Sequence, residues 1–245
     1  EVVGAARLVD RHAVDHHARV ARLAAADEHG ALLSGLSAAG GGDARDVLLT
    51  STGATLEELP ADARVGTSSP RRTAALLRAR PDLTVVPIRG NIDSRAAMVE
   101  DGRLDAVVLA KAGLDRIGRT VPAASILGLD RMVPAPAQGA LAIECREDDP
   151  LARRLAALED PESRCVVTAE RAVLVSIEAA CTTAVGAYAT YADGQLDLRA
   201  DLFGHRGVDY VERYGAIDLT GAQDLAGAAA LGHAVAQALL GGAAR

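Results

Sequence analysis

The stretch Arg64-Val65-Gly66-Thr67-Ser68-Ser69-Pro70-Arg71-Arg72-Thr73-Ala74-Ala75-Leu76-Leu77-Arg78-Ala79-Arg80 decides the fold. Arg64–Ser68 reads as a strand. Ser69 offers a side-chain oxygen to cap a helix, and Pro70 at the first helical position has no N–H to leave unpaired. Arg71–Arg80 continues the helix, and Pro81 stops it. Working outward, Leu83–Ile88 is the next strand, Asn91 to Asp101 a helix closed by Gly102, and Asp105–Ala110 a third strand. Strands and helices alternating at this spacing predict an α/β unit with a parallel sheet and right-handed crossovers.

On either side the texture changes. Residues 1–43 are rich in alanine and end in Gly40, Gly41 and Gly42, so they read as an atypical N-terminal segment, and 44–134 as the α/β domain. Pro134-Ala135-Pro136 reads as a linker and Ala140–Cys145 as one more strand, within a connecting stretch 135–160. From a boundary near Asp160, residues 161–245 form a small α+β C-terminal domain. A helix from Pro161 to Ala179 puts Val166, Ala169, Val173 and Ile177 on one face. Tyr188–Ala192 and Gln195–Asp201 flank Asp193-Gly194, a two-residue hairpin signal. A strand near Val208–Tyr214 and a closing helix from Gln223 to Leu240 complete the unit.

A chain of 245 residues is ample for two or three compact units. With no Trp and one Phe, the core must be built from Ala, Val, Leu and Ile. A net charge of −7 and so few rings to stack bases argue against a nucleic-acid binder. Cys145, Cys165 and Cys181 form neither a CxxC pair nor an even-numbered framework, which suits a reducing compartment, so a cytoplasmic protein is expected. No apolar run is read as long enough to span a membrane, and no signal-peptide pattern opens the chain. His12, His16 and His17 have helical spacing that could hold a metal, but no further ligands support it; a solvated stretch is the plainer reading, and no metal is expected.

The chemistry concentrates at arginines. Helix first turns favour acidic side chains, yet Arg71 and Arg72 occupy one, each at a cost of roughly 0.3–1 kcal/mol. The arrangement repeats one unit later, where Arg89 ends the second strand and Arg95 lies in the opening turn of the next helix; Arg116 follows the third strand. Loops beyond the C-terminal ends of parallel strands converge on a crevice, so all five arginines are expected to face a shared space. Clustered guanidinium groups repel unless an anion joins them, and the planar fork matches a carboxylate with two parallel hydrogen bonds. The expected ligand carries several carboxylates or phosphates. The plainer alternative pairs these arginines with Asp82, Asp93, Asp101 or Asp115 on a solvated surface. A nucleotide P-loop is excluded, because the sole lysine, Lys111, is followed by Ala112. On composition alone Cys181 reads either as a small apolar residue or as an active thiol.

Val65-Gly66-Thr67-Ser68-Ser69-Pro70-Arg71-Arg72, Arg89-Gly90-Asn91 with Arg95, Ala112-Gly113-Leu114 with Arg116, and Gln138-Gly139-Ala140 through Glu144-Cys145-Arg146 resemble, in order and spacing, successive motifs of the hydroxymethylbilane synthase (porphobilinogen deaminase) family. The resemblance runs from about Asp43 to near the C-terminus. It implies a periplasmic-binding-protein-like parallel or mixed sheet followed by the α+β domain. It further implies a transferase of tetrapyrrole and haem biosynthesis, acting as a monomer, that condenses four porphobilinogen units into hydroxymethylbilane with loss of ammonia. The growing chain of such an enzyme is anchored on a dipyrromethane cofactor, held by a thioether to a cysteine that Cys181 matches. By the same match Ser69, Arg71, Arg72, Arg89, Arg95 and Arg116 bind the acetate and propionate arms of cofactor and pyrroles.

Departures from the family pattern matter as much. The family has G-G-C-Q-x-P around its cysteine, whereas Ala180 precedes Cys181 and Thr182-Thr183-Ala184 follow. Family members carry a Ser-x-Lys-Asp motif with a catalytic aspartate upstream of the segment matching Asp43–Val47, and no residue here matches it. The expectation is a chain that lacks most of the family's first domain, with residues 1–43 a rearranged start, 135–160 a remnant of that domain, and catalysis impaired. The alternatives are a polycarboxylate-binding protein without turnover and an inactive fragment.

Overall fold

A computed structural model of the chain describes residues 7–8, 42–122, 125–144, 159–204 and 207–243. The expectations for residues 1–41 apart from 7 and 8, including the three histidines, and for Cys145 lie outside them. β1 (Arg7–Leu8) pairs antiparallel with β6 (Ile143–Glu144), the paired part of the strand expected at Ala140–Cys145.

Four strands make the first sheet, in the order β2-β5-β3-β4. β3 (Arg64–Gly66) lies parallel to both β4 (Thr84–Val86) and β5 (Ala106–Ala110), as the alternating pattern requires. The unforeseen member is β2 (Asp46–Thr50), which runs antiparallel along β5 with Asp46 opposite Ala110. The parallel strands are shorter than expected because side chains take over where the ladder ends. Beyond Gly66 the Ser68 hydroxyl accepts from the Ile88 N–H at 2.9 Å and donates to the Ile88 carbonyl.

The helices between the strands start at their caps. α1 (Pro70–Ala79) is capped by Ser69, whose Oγ accepts from the Arg72 N–H, and α2 (Ile92–Glu100) by Asn91, whose Oδ1 accepts from the Ser94 N–H at 2.8 Å. α3 (Lys111–Arg116) follows β5 without a loop. Val65, Val107, Val108 and Leu114 are fully buried, and the sheet carries a cluster of small aliphatic side chains on each face.

The second unit holds α4 (Pro161–Ser176), β7 (Ala184–Ala192), β8 (Gln195–Phe203), β9 (Val211–Asp218) and α5 (Leu225–Ala243). The three strands form an antiparallel meander. Asp193 and Gly194 both take positive φ, 52° and 84°, the primed turn that matches strand twist. α4 ends at Ser176, short of Ala179, because Glu178 adopts φ 50°, a left-handed conformation that no helix continues. The window Leu225–Gly242 of α5 is long and apolar enough to cross a membrane, with a mean hydropathy of 1.3, which corrects the reading that no such run exists. Alanines rather than a continuous large-apolar stretch carry that average. Ala228, Leu231, Val235, Ala236 and Leu239 of α5 pack with Cys165, Ala169 and Val173 of α4 over the inner face of the meander.

The crossing of α4 and α5 is close enough to require glycine. A Cβ at Gly232 would stand 2.3 Å from the Ala169 carbonyl oxygen. Gly232→Ala is therefore expected to destabilise the chain by about 1–3 kcal/mol through overpacking, read as a lowered melting temperature.

Pro134-Ala135-Pro136 is not a free linker. The Pro134 carbonyl accepts from the Ala187 N–H of β7 at 3.0 Å, and Val133, Pro134 and Pro136 are buried. This segment ties the two units together and forms one wall of the site.

Candidate functional site

A cavity of about 70 Å³ opens beyond the C-terminal end of β5, where α1 and α2 also begin. α1 contributes Arg72, α2 contributes Ile92 and Arg95, α3 contributes Ala112, Gly113 and Arg116, and the segment 135–140 closes the far side with Pro136, Gln138 and Gly139. Three of the five arginines thus meet at one cavity, and two do not.

Arg95 is the most informative of the three. Its side chain is 6% exposed, yet its one hydrogen bond among the described residues runs from Nε to the Gly90 carbonyl at 2.8 Å, and no carboxylate pairs with it there. Burial and the charge of Arg72 both hold its pKa below the usual arginine value, because nothing offsets the positive charge. Its two Nη groups are left for whatever enters the cavity. A buried cation without a counter-ion is the feature that an anionic group completes, and the carboxylates of a dipyrromethane fit that requirement. Arg116 is exposed at the rim and donates from Nη2 to the Gly139 carbonyl at 3.3 Å.

Arg71 and Arg72 instead share Asp46. The aspartate is fully buried; its Oδ2 accepts from Arg71 Nη2 at 2.8 Å, and its Oδ1 from Arg72 Nη2 at 2.7 Å and Nε at 3.1 Å. Gln138 Nε2 adds a fourth hydrogen bond at 2.9 Å. Burial would raise the Asp46 carboxyl, but the two guanidinium charges outweigh it and hold the pKa below the ordinary range. Arg71, with 2% exposure, also donates from Nη1 to the Val133 carbonyl at 2.6 Å and is not among the residues lining the cavity. Arg89 is exposed and also outside that lining. The expectation that all five arginines face one space is corrected accordingly: consecutive helical residues point about 100° apart, and although both Arg71 and Arg72 reach Asp46 of β2, only Arg72 also lines the cavity. Ser69 uses its hydroxyl as the α1 cap.

Cys181 is an exposed free thiol at a turn between α4 and β7, outside the lining of the arginine cavity. The turn closes on itself: the Ala180 N–H donates to Thr183 Oγ1 at 2.9 Å and the Thr183 N–H to the Ala180 carbonyl at 2.9 Å. No residue from 179 to 183 takes positive φ, so the missing glycines cost this loop nothing in backbone freedom.

The family model described as porphobilinogen deaminase, dipyromethane cofactor binding domain, matches residues 33–171, and that for the porphobilinogen deaminase C-terminal domain matches 165–241. The chain belongs to the porphobilinogen deaminase family. Relatives named porphobilinogen deaminase include one from Nocardia farcinica, 56% identical over 148 residues, which are 60% of this chain and 43% of the relative. One from Sorangium cellulosum is 53% identical over 64% of this chain and 53% of its own length. One from Thermobifida fusca is 45% identical over 81% of this chain and 63% of its own length. The chain therefore spans about half the length of the curated relatives it matches. A looser likeness is to a Salmonella typhimurium periplasmic binding protein with high arginine specificity, at a TM-score of 0.32 and 16% identity over 54% of this chain and 58% of that one. Within the porphobilinogen deaminase family match, the first model contains every arginine of the site, and the second contains Cys181.

Two residues outside the quoted arginine motifs complete the site. Asp46 sets the paired arginines. Glu170, buried in α4, accepts from the Ala137 N–H at 2.6 Å and the Ala189 N–H at 2.8 Å, joining the cavity wall to the C-terminal sheet.

Proposed function

We propose that this chain carries the pyrrole-holding and cofactor-attaching parts of a hydroxymethylbilane synthase, the transferase that condenses four porphobilinogen units into hydroxymethylbilane with release of ammonia. The observation that carries the reading is the buried Arg95 guanidinium, without a counter-carboxylate among the described residues, beside Arg72 and Arg116 in one cavity. In this reading Arg72, Arg95 and Arg116 take the acetate and propionate arms, and Arg89 guides them from outside. Cys181 holds the dipyrromethane by a thioether, and its exposure at a self-closed turn leaves the sulfur open to attachment. The bound dipyrromethane supplies the anchor from which the pyrrole chain grows.

A carboxylate is also needed to stabilise positive charge on the pyrrole as ammonia leaves. Asp46 is not that group, since it is fully buried between two arginines. The catalytic carboxylate is assigned to none of the described residues, so the reading for this chain is binding and attachment, with condensation depending on a carboxylate from elsewhere. Free Cys165 and Cys181 and the net charge of −7 support a cytoplasmic protein with no nucleic-acid partner, and we take it as a monomer.

Intact-mass measurement of the purified chain and its Cys181→Ser variant tests the attachment. The expected result is an added mass of two linked pyrrole units in the wild type and none in the variant. A wild-type chain at its bare sequence mass would remove the attachment from this reading.

A further inference from the structure

Two overlapping turns shape the wall that faces the arginines. The Gln138 N–H donates to the Ala135 carbonyl at 2.9 Å and the Ala140 N–H to the Ala137 carbonyl at 3.2 Å, which puts Ala137 and then Gly139 at the third position of a four-residue turn. Both take positive φ, 64° and 95°. Glycine adopts that conformation freely and alanine does not. Of the two, only the alanine has a buried carboxyl on its N–H among the described residues, that of Glu170 at 2.6 Å. We infer that Glu170 is a positioning residue of the arginine cavity, acting through the backbone of Ala137; the inference rests on the carboxylate-binding reading of that cavity.

The hydrogen bonding on either side shows why a carboxyl sits there. β7 is an edge strand, and along its free edge the Ala187 N–H donates to the Pro134 carbonyl at 3.0 Å in the ordinary way of a ladder. Two residues on, the Ala189 N–H meets a segment that has already turned and offers the Ala137 N–H instead. Two donors cannot bond to each other. Glu170 reaches from α4 between them with one oxygen for each, Oε2 for Ala137 and Oε1 for Ala189 at 2.8 Å. Glu170, Ala137 and Ala189 are all buried, so either N–H left without the carboxyl would be unpaired and away from water. What the turns carry is the cavity wall. Pro136, Gln138 and Gly139 line it; the Gln138 Nε2 donates to the Ala44 carbonyl at 2.6 Å and to Asp46, and the Gly139 carbonyl accepts from Arg116 at 3.3 Å. If Ala137 relaxes to negative φ, these groups move with it.

The test uses the full chain and porphobilinogen as probe, with binding read by equilibrium dialysis and stability by thermal unfolding. Glu170→Leu should weaken binding about tenfold, as most chains leave the left-handed turn. Adding Ala137→Gly should bring the dissociation constant back to within about threefold of wild type, because glycine holds the turn unaided. The melting temperature should not return with it: both amides stay without an acceptor, so the double variant melts several degrees below wild type. That split separates positioning from a purely structural role. Wild-type affinity in Glu170→Leu would overturn the inference, as would a double variant that binds no better than Glu170→Leu. Should Glu170→Leu fail to fold, Ala137→Val keeps the carboxyl and penalises the left-handed turn itself, so it should weaken binding at least as much, and wild-type affinity there would count equally against the inference. A wild-type chain that does not bind porphobilinogen would instead remove the pyrrole reading. Hydrogen exchange at the Gln138 amide, which closes the turn, then decides without a ligand: it should be protected in wild type, unprotected in Glu170→Leu and protected again in the double variant, and unchanged protection in Glu170→Leu would overturn the inference.

Discussion

Arg95→Leu is expected to raise the melting temperature while it abolishes retention of a carboxylate ligand. The two effects share one cause. The Arg95 side chain is buried with a single hydrogen bond, no carboxylate beside it among the described residues, and the charge of Arg72 close enough to lower its pKa. In the free protein that guanidinium is an uncompensated charge, and exchanging it for an apolar side chain of similar length relieves about 1–3 kcal/mol, or several degrees. With a ligand present the same group offers a fork for a carboxylate. Losing the two charge-assisted hydrogen bonds of the fork at about 1.5–3 kcal/mol each should weaken porphobilinogen at least a hundredfold. Differential scanning calorimetry and equilibrium dialysis on the same preparation check both signs. A variant that melts lower and binds as well as wild type would show that Arg95 is a structural residue. Arg95→Lys keeps the charge without the planar fork, so it should retain the wild-type melting temperature and recover only part of the binding.

The sequence made the first unit readable because its signals are local. Ser69-Pro70 and Asn91 each place a helix start through a side chain and the amides two or three residues on, and α1 and α2 begin within a residue of those positions. Strand pairing is not local, and nothing in Asp46–Thr50 alone says that it runs antiparallel to β5. The arginine cluster was legible as a type and only partly as a geometry. Arg71 and Arg72 look alike in sequence and share a carboxylate 25 or 26 residues earlier, and only Arg72 also lines the cavity. Three of the four aspartates offered as alternative partners are engaged elsewhere: Asp82 with Arg80, Asp101 with Arg103, and Asp115 with Lys111. A signal for Asp46 did exist, as the one charge in the apolar strand Asp46-Val47-Leu48-Leu49-Thr50. Glu170 left a similar mark, standing four residues after Val166 and three before Val173 on the stripe read as wholly apolar. Cys181 carries no geometric signal, and its proposed role comes from the family resemblance.

That glutamate makes stability depend on pH with a sign opposite to most carboxylates. Burial raises the Glu170 carboxyl to about 8, although the Ala137 and Ala189 amides both favour the ionised form, and no cation pairs with it among the described residues. The folded chain therefore holds a proton that the unfolded chain releases above about 4.5. Stability from this group falls as pH rises from about 5 to 8 and levels off beyond, a change of roughly 3–5 kcal/mol or about 10 °C in melting temperature. The trough that Glu170 lines is also lined by Asp43, Arg45, Asp130 and Tyr188. The Asp43 carboxyl is lowered by its hydrogen bonds with Arg45, so it titrates below that window, and the Tyr188 hydroxyl is raised by burial above it. Asp201 is also raised by burial, with the same sign, but it remains in any variant at position 170. Glu170→Gln removes the titration and should flatten the decline; because its Nε2 cannot accept from one of the two amides that the carboxyl holds, it should melt below wild type at pH 5.5 and lose that deficit by pH 8.5. Parallel curves for the two proteins would mean that Glu170 is ionised throughout and that its two amide hydrogen bonds outweigh its burial. The consequence reaches the site because Ala137 sits at φ 64°, an unfavourable conformation for alanine that its hydrogen bond to Glu170 helps to hold. Its neighbours Pro136, Gln138 and Gly139 line the arginine cavity. A proton on Glu170 therefore bears both on the stability of the chain and on the wall against which Arg72 and Arg95 face their ligand.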